Sequence, residues 1–377
     1  MRLSFVLLLI TILSSCTPRI IIRDTNLNDV SNNATQNANE SVGIVSADSI
    51  ENGLSFNWDS ETYGSFSNSS FTTFDHYLLT SDLGGRVTCF DIENGKKVGQ
   101  IKYSGEIFQM AIVNKFKIIF IVNNYKENYS TLVVYDYKKG KEVATTELSG
   151  KFTNELFQIG DNIFTISNLG KVYKFNLNGW VLWEKDFNVE VLSTNANDND
   201  NVYFASLKGF LLSVDIANGK LNYKKKISNG FQSGITIDGE NLFVGDVNGI
   251  MYSVNKANGN INWQFKSNTK IVQAPASDFA SIYFGNLSGN LFSLNKKSGK
   301  LIWTHNAKGL INTIPLVTND YIIQPNLKKY IDVLNKKTGE QIQTLEFDGR
   351  CRTSPNYYRG MVFFGVDKGE VYSYKIN

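Results

Sequence analysis

The sequence has 377 residues, of which 42% are apolar and 13% aromatic, enough to bury a large core. Its 38 basic and 35 acidic residues nearly balance at a formal charge of +3, and no basic stripe interleaved with aromatics occurs, which argues against a nucleic-acid partner. The many Phe and Tyr residues, few prolines and frequent Asn-Gly or Ser-Gly pairs favour short antiparallel strands joined by turns.

The N-terminus has the pattern of a secretory signal. Arg2 precedes an apolar run, Leu3 to Leu13, that is too short to span a bilayer, so residues 1–15 are predicted to be a signal peptide. Leu13-Ser14-Ser15-Cys16 then resembles a bacterial lipobox, which implies acyl chains such as palmitate on Cys16. The alternative is a plain signal peptide with an incidental cysteine.

The residue after the cysteine bears on location. In bacterial lipoproteins an Asp there usually marks retention at the inner membrane, and this chain has Thr17. The resemblance therefore implies a Gram-negative outer membrane, with the chain anchored on its periplasmic side. Acyl chains bury about 0.8 kcal/mol per CH₂, so several of them would hold the protein stably without a transmembrane helix.

Residues 16–52 are predicted to form a disordered tether. They are rich in Asn, Ser and Thr and have little apolar periodicity, most clearly over residues 31–39. A flexible stretch of this length reaches roughly 30–35 Å by random-coil scaling. We therefore expect the folded body to stand clear of the lipid.

From residue 53 onward the chain repeats a unit of about forty residues, seen most plainly over residues 249–263 as a strand, a glycine turn and a second strand. The turn glycines of successive copies are Gly95, Gly140, Gly179, Gly219, Gly259, Gly299 and Gly339, at steps of 45, 39, 40, 40, 40 and 40 residues. A period this steady is typical of a propeller or a solenoid.

Each unit can be divided into four strands, A to D. Strand C is the clearest and begins at Gly85, Ser130, Gly170, Gly209, Gly249, Gly289, Lys329 and Gly369. An Asp or Asn and then a glycine follow it, which fits a hairpin whose glycine takes positive φ. Strand D carries an aromatic residue four positions after the turn glycine at Trp183, Tyr223, Trp263 and Trp303, whereas Gly99, Ala144 and Gln343 depart from this pattern.

Strand A is predicted from a second register. Eight residues past the aromatic position stand Phe66, Ile107, Phe152, Val191, Phe231, Ile271, Ile311 and Cys351. Pro275, Pro315 and Pro355 follow four residues later in three copies, and proline suits an edge strand because it lacks the ladder N–H. The innermost strand of a propeller blade is such an edge. Strand B is then the short run before a turn, as in residues 242–246.

The last copy predicts how the ring closes. Strand C of the eighth copy begins at Gly369, and no strand D follows it within the sequence. Residues 53–58, ending in Trp58, resemble the missing strand D, and Phe66 stands in the common register. The prediction is an all-β, eight-bladed propeller of four-stranded antiparallel blades over residues 53–377, with residues 54–58 completing the last blade and removing an unpaired edge.

The repeat resembles that of quinoprotein-type, tryptophan-docked propellers, most fully over residues 249–263 and 289–303. Together with the lipobox, the tether and the eight copies, it resembles the BamB family of outer-membrane lipoproteins, and residues 366–377 are similar to that family's C-terminus. The resemblance implies a non-enzymatic scaffold of the barrel-assembly (BAM) complex that binds the BamA subunit and aids assembly of nascent outer-membrane proteins. It also implies that the connection after the third strand D helps to bind BamA. Because Asp186–Leu192 carries no insertion, no contact residue is assigned there.

Catalytic chemistry finds little support. Quinone-dependent dehydrogenases generally need a calcium site and often an adjacent cysteine pair, whereas Cys16, Cys89 and Cys351 are far apart. We expect Cys89 and Cys351 to be packed thiols, and a disulfide between them is the alternative in a periplasmic protein. His76 and His305 lack the spacing of a zinc site. We expect no catalytic residue, cofactor or metal, and assign the recurring tryptophans to packing between blades.

The sizeable departure from the repeat is an insertion of about five residues within Asn123–Ser130. Tyr125 and Tyr129 in it are candidate partner-binding residues, because aromatic side chains with polar tips are favoured at interfaces. A tolerated loop extension explains the insertion equally well. Two other functions stay open: a periplasmic quinoprotein-like or ligand-binding propeller, and an interaction propeller outside barrel assembly.

Overall fold

The computed structural model describes residues 19–20, 53–67, 71–108, 110–113 and 116–376. The predicted signal peptide, Cys16 and most of the predicted tether lie outside these residues. Arg19 and Ile20 are described, and Ile20 is fully buried in the core between two blades. In the described part of the chain, no helix has the length and hydrophobicity that crossing a bilayer requires.

The described chain forms eight four-stranded antiparallel sheets, as predicted. The first strand is β1 (Leu54–Glu61), and it belongs to the last blade. Blade 1 is β2 (Thr72–Phe74), β3 (Tyr77–Ser81), β4 (Arg86–Asp91) and β5 (Lys97–Lys102). Blade 2 is β6 (Met110–Val113), β7 (Lys117–Asn123), β8 (Tyr129–Asp136) and β9 (Lys141–Ser149). Blade 3 is β10 (Phe157–Ile159), β11 (Asn162–Ile166), β12 (Lys171–Asn176) and β13 (Val181–Asp186). Blade 4 is β14 (Ala196–Asn197), β15 (Asn201–Ala205), β16 (Phe210–Asp215) and β17 (Leu221–Lys226).

The second half continues in the same order. Blade 5 is β18 (Ile235–Asp238), β19 (Asn241–Gly245), β20 (Ile250–Asn255) and β21 (Ile261–Lys266). Blade 6 is β22 (Ala276–Ser277), β23 (Ser281–Gly285), β24 (Asn290–Asn295) and β25 (Leu301–Asn306). Blade 7 is β26 (Leu316–Val317), β27 (Tyr321–Pro325), β28 (Tyr330–Asn335) and β29 (Gln341–Glu346). Blade 8 is β30 (Asn356–Tyr358), β31 (Met361–Gly365), β32 (Glu370–Ile376) and β1.

Within a blade the four strands, A to D, run from the axis to the rim. The short A strands of neighbouring blades contact one another, as β14 does β18 and β18 does β22. The B and C strands are almost wholly buried, which fits their continuous apolar sequences. The D strands alternate exposed and half-buried residues and form the outer rim. The core therefore lies in the spaces between adjacent blades.

The predicted apolar register is occupied by buried residues, but all eight of them precede strand A. Ile271 and Ile311 lie in the connections from strand D to strand A, and their side chains fill the space beside Gly245 and Gly285, respectively, at the ends of B strands. Strand A begins only five residues later, directly after Pro275, Pro315 and Pro355. Strand A is shorter than predicted because the apolar residue of this register fills the space beside a B strand and does not pair in the sheet. We call it the plug residue.

Aromatic residues of strand D dock onto the turn of the next blade. The indole N–H groups of Trp263 and Trp303 donate to the carbonyls of Lys296 (3.0 Å) and Lys336 (2.9 Å) in the following C–D turn. Each ring covers the turn glycine so closely that a Cβ there would lie 2.6 Å from it. Tyr223 makes the equivalent bond through its hydroxyl. These contacts confirm that the recurring aromatics pack between blades.

At the junctions after blades 2 and 3, a lysine donates to the turn carbonyl that accepts the indole N–H at other junctions. Lys117 donates to the carbonyl of Leu177 (3.4 Å), and Lys174 donates to that of Ile216 (3.2 Å). Trp183 still packs on the next turn glycine, but its indole N–H is left without a partner because Lys174 occupies the carbonyl.

Ion pairs on the C–D turn side link several blades a second time. Lys256, Lys296 and Lys336 each follow a C strand and reach an aspartate of the preceding blade: Asp198 (3.4 Å), Asp238 (2.7 Å) and Asp278 (3.2 Å). Burial acts to raise the pKa of Asp278, but the amides of Ser281 and Ala280 and the Lys336 ammonium outweigh it and lower the pKa.

The ring closes as the sequence predicts. β1 pairs antiparallel with β32 from Leu54 opposite Ile376 to Glu61 opposite Glu370, which extends the predicted closing segment by three residues. Trp58 is buried, packs on Phe363 of its own blade and donates to the Ile92 carbonyl of blade 1 (2.7 Å). The closing strand therefore docks through the same indole bond as the D strands of Trp263 and Trp303.

The other side of the seam needs a different contact, because blade 8 has the start of β1 where other blades have a C–D turn. Gln343 of blade 7 stands at the aromatic position. Its amide accepts from the Leu54 N–H (2.8 Å) and donates to the Leu54 carbonyl (3.1 Å). A polar residue replaces the aromatic one here because the start of β1 presents both a backbone N–H and a backbone C=O for hydrogen bonding.

We predict that Trp58→Ala lowers the free energy of unfolding by about 3–5 kcal/mol, because it empties a buried ring site and opens the seam. Urea denaturation followed by far-UV circular dichroism measures the change. Trp180→Ala is the matched control, since Trp180 is 66% exposed and should change stability by no more than about 0.5 kcal/mol. Equal effects at the two sites would contradict the seam assignment.

Candidate functional site

The sequence-selected cysteines are core residues. Cys89 and Cys351 are both free and fully buried, and they belong to separate apolar clusters. Burial raises the pKa of Cys351 to about 12 and that of Cys89 further still, so neither thiol is a ready nucleophile. Cys16, the predicted lipid-attachment residue, lies outside the described residues.

The two histidines are separate in the fold. His305 of β25 lies 3.2 Å from the carboxylate of Asp332 in β28, and Thr344 donates to the other carboxylate oxygen (2.8 Å). This pair joins blades 6 and 7. His76 lies 3.6 Å from Asp75 in blade 1. Among the described residues, no three His, Cys, Asp or Glu side chains are placed to hold a metal ion.

One carboxyl group on the inner side of the ring has a raised pKa. Glu155 follows the plug residue Phe152 by three positions, in the register of Thr194, Gly234 and Ala274. Equivalent residues of neighbouring blades lie close together at this position, because a Cβ on Gly234 would lie 1.9 Å from the Thr194 hydroxyl and 3.0 Å from the Ala274 methyl group. Burial raises the pKa of Glu155 from its usual 4.5 to about 7.

The broadest candidate surface is the side of the ring that carries the B–C turns and the D–A connections, which we call the loop face. Backbone hydrogen bonds join each turn to the connection beside it, such as Leu207 N–H to Glu190 C=O (2.8 Å) and Val191 N–H to Asn168 C=O (2.9 Å). The same pairing recurs around the ring. The loop face is therefore rigid, and it presents its side chains in fixed positions.

The predicted insertion lies on this face. It lengthens β7 and β8, so that the hairpin of blade 2 projects beyond those of other blades, with its tip at Asn124–Asn128. Tyr125 is 55% exposed, and its hydroxyl donates to the Leu83 carbonyl in the turn of blade 1 (3.1 Å). Tyr129 is half-buried at the start of β8. Of the two candidate residues, Tyr125 is thus the one that offers a free aromatic face.

Two exposed leucines lie beside it that sequence reasoning did not select. Leu169 is in the B–C turn of blade 3 and is 42% exposed, and Leu192 is in the connection from blade 3 to blade 4 and is 46% exposed. The bond between Val191 and Asn168 places the two segments side by side. We call these two leucines, together with the exposed Tyr125 on the hairpin of the preceding blade, the apolar sector of the loop face.

The repeat did contain a signal for Leu169. Six of the seven other blades carry polar or small residues at its turn position, namely Gly84, Lys208, Asn248, Ser288, Lys328 and Lys368, and blade 2 carries Tyr129 there. Leu192 is harder to recognise, because its equivalents are mixed and it follows directly after the buried Val191. An exposed apolar residue next to a buried one cannot be told from the core by pattern alone. The sector suits contact with another protein, since exposed apolar groups on a rigid surface mark such sites.

Comparison with known families supports the repeat assignment. The family model described as outer membrane protein assembly factor BamB matches residues 169–313 and 289–377, which together cover 209 of the 377 residues. A search of curated proteins finds no match.

Solved structures share the fold. The crystal structure of BamB from Moraxella catarrhalis superposes with a TM-score of 0.72 at 14% identity, covering 85% of this chain and 99% of that one. The computationally designed protein Ika8 superposes with a TM-score of 0.71 at 13% identity, covering 84% of this chain and 100% of that one. At such identities the likeness concerns the fold alone. A designed propeller fits as closely as a natural one, so function has to be argued from surfaces.

We predict that the displaced titration of Glu155 makes stability fall as pH rises. Between its unfolded pKa near 4.5 and its folded pKa of about 7, the folded chain retains a proton that the unfolded chain has released. The free energy of unfolding should therefore drop by on the order of 1–3 kcal/mol from pH 4.5 to pH 8. Glu155→Gln should remove this part of the decline in urea denaturation, whereas Glu127→Gln in the exposed loop should leave it intact.

Proposed function

Because the chain belongs to the family of outer membrane protein assembly factor BamB, we propose that it is a non-enzymatic scaffold of outer-membrane protein assembly. In this proposal Cys16 carries lipid chains that hold the protein on the periplasmic side of the outer membrane. The propeller binds the BamA-like barrel subunit and helps nascent outer-membrane proteins to reach it.

The apolar sector is the observation that supports partner binding most directly. Leu169 and Leu192 expose apolar surface in a region whose backbone is fixed by hydrogen bonds, so little conformational entropy is lost on binding. The connection that holds Leu192 is also the one after the third strand D, which the family resemblance implicates in BamA binding. Tyr125 extends the sector with an aromatic ring that is already positioned by its bond to Leu83.

Nascent chains are less suited to pairing with the sheet edges. The rim strands carry many lysines, three of them in a row at Lys224–Lys226 of β17, and charges of this kind discourage strand addition. The inner strands are short and follow Pro275, Pro315 and Pro355 in three blades. We therefore assign any contact with nascent chains to side-chain surfaces. Site-specific crosslinking that traps a nascent chain along a D strand would reverse this assignment.

We predict that Leu192→Asp and Leu169→Asp each weaken binding of the barrel subunit, by about tenfold or more, because a charge replaces a desolvated apolar contact. Affinity purification from solubilised membranes, followed by titration with the purified subunit, measures the loss. Phe279→Asp is the matched control, since Phe279 is 87% exposed in a turn between strands A and B on the opposite side of the ring.

The three variants should melt alike, because all three positions are exposed. Equal binding by the Leu192, Leu169 and Phe279 variants would remove the apolar sector from the proposal. Recovery of a different partner that depends on the same two leucines would instead assign the propeller to an interaction outside barrel assembly.

We predict that Cys16→Ser abolishes acylation and releases the protein from the membrane, since the acyl chains supply the membrane affinity in this proposal. Labelling with a palmitate analogue and fractionation of the cell envelope measure both effects. Cys89→Ser is the control, because serine occupies the same register in Ser213, Ser253 and Ser293 and the residue is buried. Retention of label by the Cys16 variant would contradict the anchor.

A further inference from the structure

Blade 1 lacks the aromatic docking residue that blades 3, 4, 5, 6 and 8 carry. The aromatic position of its D strand is Gly99, and the segment Arg19–Ile20 occupies the space in front of it. A Cβ on Gly99 would lie 2.6 Å from the Arg19 carbonyl oxygen and 2.9 Å from the Ile20 Cα. No side chain of any kind fits at residue 99 while this segment is in place.

Ile20 takes over the packing role of the missing aromatic residue. Its side chain is fully buried among residues of blades 1 and 2, including Cys89, Val133 and Tyr135. The Tyr135 hydroxyl of β8 donates to the Ile20 carbonyl (3.3 Å), so the backbone of the segment is held as well as its side chain. An N-terminal residue thus does at this junction what Trp58 and Trp303 do at theirs.

We propose that residues 19–20 are a strap that turns the rim of blades 1 and 2 toward a phospholipid surface. The inference rests on the proposed lipid anchor at Cys16. Three residues separate Cys16 from Ile20, and an extended chain spans at most about 14 Å over the four steps between their Cα atoms. A docked Ile20 therefore holds this rim against the membrane, in place of the 30–35 Å reach expected for a free tether.

The charge of this rim is compatible with phospholipid headgroups, but charge alone does not favour this rim over that of another blade. Its exposed residues include six basic ones, Arg19, Lys96, Lys102, Lys138, Lys139 and Lys141, against three acidic ones, Glu93, Glu142 and Glu147. The rim of blade 4 is comparably basic, with Lys220 and Lys224–Lys226. If charge alone oriented the body, blade 4 would compete for the membrane. The strap decides between them.

The orientation has a consequence for the apolar sector. A propeller held by its rim has its axis along the membrane plane, so the loop face looks sideways. Tyr125, Leu169 and Leu192 lie on blades 2 to 4, next to the strapped rim. They would then face a partner embedded in the same membrane, at the level of its periplasmic parts.

The strap itself can be tested without lipid. In the mature chain with Cys16→Ser and Cys89→Ser, spin labels are placed at Thr17→Cys and Asn94→Cys, while Cys351, which is buried in another cluster, stays unlabelled. A docked strap gives one narrow distance distribution by pulsed electron paramagnetic resonance. Ile20→Asp should broaden it, because a charge cannot be buried at that site. Gly99→Trp should do the same by supplying the ring that the junctions of Trp58, Trp263 and Trp303 have, with the blade junction still filled.

The orientation is tested on the acylated protein in vesicles of zwitterionic and anionic phospholipid that carry acceptor-labelled headgroups. Donor dyes are placed one at a time at Asn94→Cys, Asn218→Cys and Asn258→Cys, the residues before the turn glycines of blades 1, 4 and 5. Asn94, Asn218 and Asn258 make the same turn hydrogen bond, so the sites are matched. Energy transfer should be highest from blade 1, and Gly99→Trp should abolish the difference.

Several results would overturn the proposal. A broad label distance in the parent chain, or a narrow one that survives both Ile20→Asp and Gly99→Trp, removes the strap. Highest transfer from blade 4, or equal transfer from all three sites, removes the orientation. Absence of acyl chains on Cys16 by mass spectrometry refutes the anchor and with it the orientation, while the lipid-free distances still judge the strap. Binding of the barrel subunit is scored separately, so its loss leaves the strap standing.

Discussion

The ring depends on the docking of each blade's outer strand onto the turn of the next blade. A four-stranded blade buries its B and C strands only if a neighbour covers them, and the aromatic residue of strand D fixes that neighbour at its most exposed point. The indole of Trp303, for example, covers a turn glycine and satisfies a turn carbonyl together. Apolar burial and one directed hydrogen bond thus set both the spacing and the angle between blades.

Departures from this docking rule coincide with the features that distinguish the chain from a plain propeller. Gln343 meets the seam, where a strand end replaces a turn. Gly99 opens the slot that Ile20 enters. In blade 2, whose hairpin is lengthened, Lys117 at the opposite end of β7 bonds to the turn of the next blade. The repeat can give up its aromatic residue only where another group takes its place, because an uncovered turn would expose both apolar surface and a carbonyl group.

In the proposed function, the contribution of this body to a membrane-bound assembly is its rigidity. The hydrogen bonds between B–C turns and D–A connections hold Leu169 and Leu192 in place, so a partner meets a preformed surface. Together with the proposed strap near the lipid anchor, this arrangement would fix the position and the orientation of the binding site relative to the membrane.

The sequence by itself determined the number of blades, the turn glycines, the aromatic docking position and the closing strand at Trp58, because each is encoded by a local pattern that recurs at a fixed period. Local patterns did not place Ile20, which reads as part of a polar tether, nor the adjacency of Leu169 and Leu192, nor the confined setting of Glu155. Those features join residues that are distant in the chain or differ from their repeat neighbours by one side chain. Only the closed ring brings them together, since the contacts that define them exist between blades and not within a repeat.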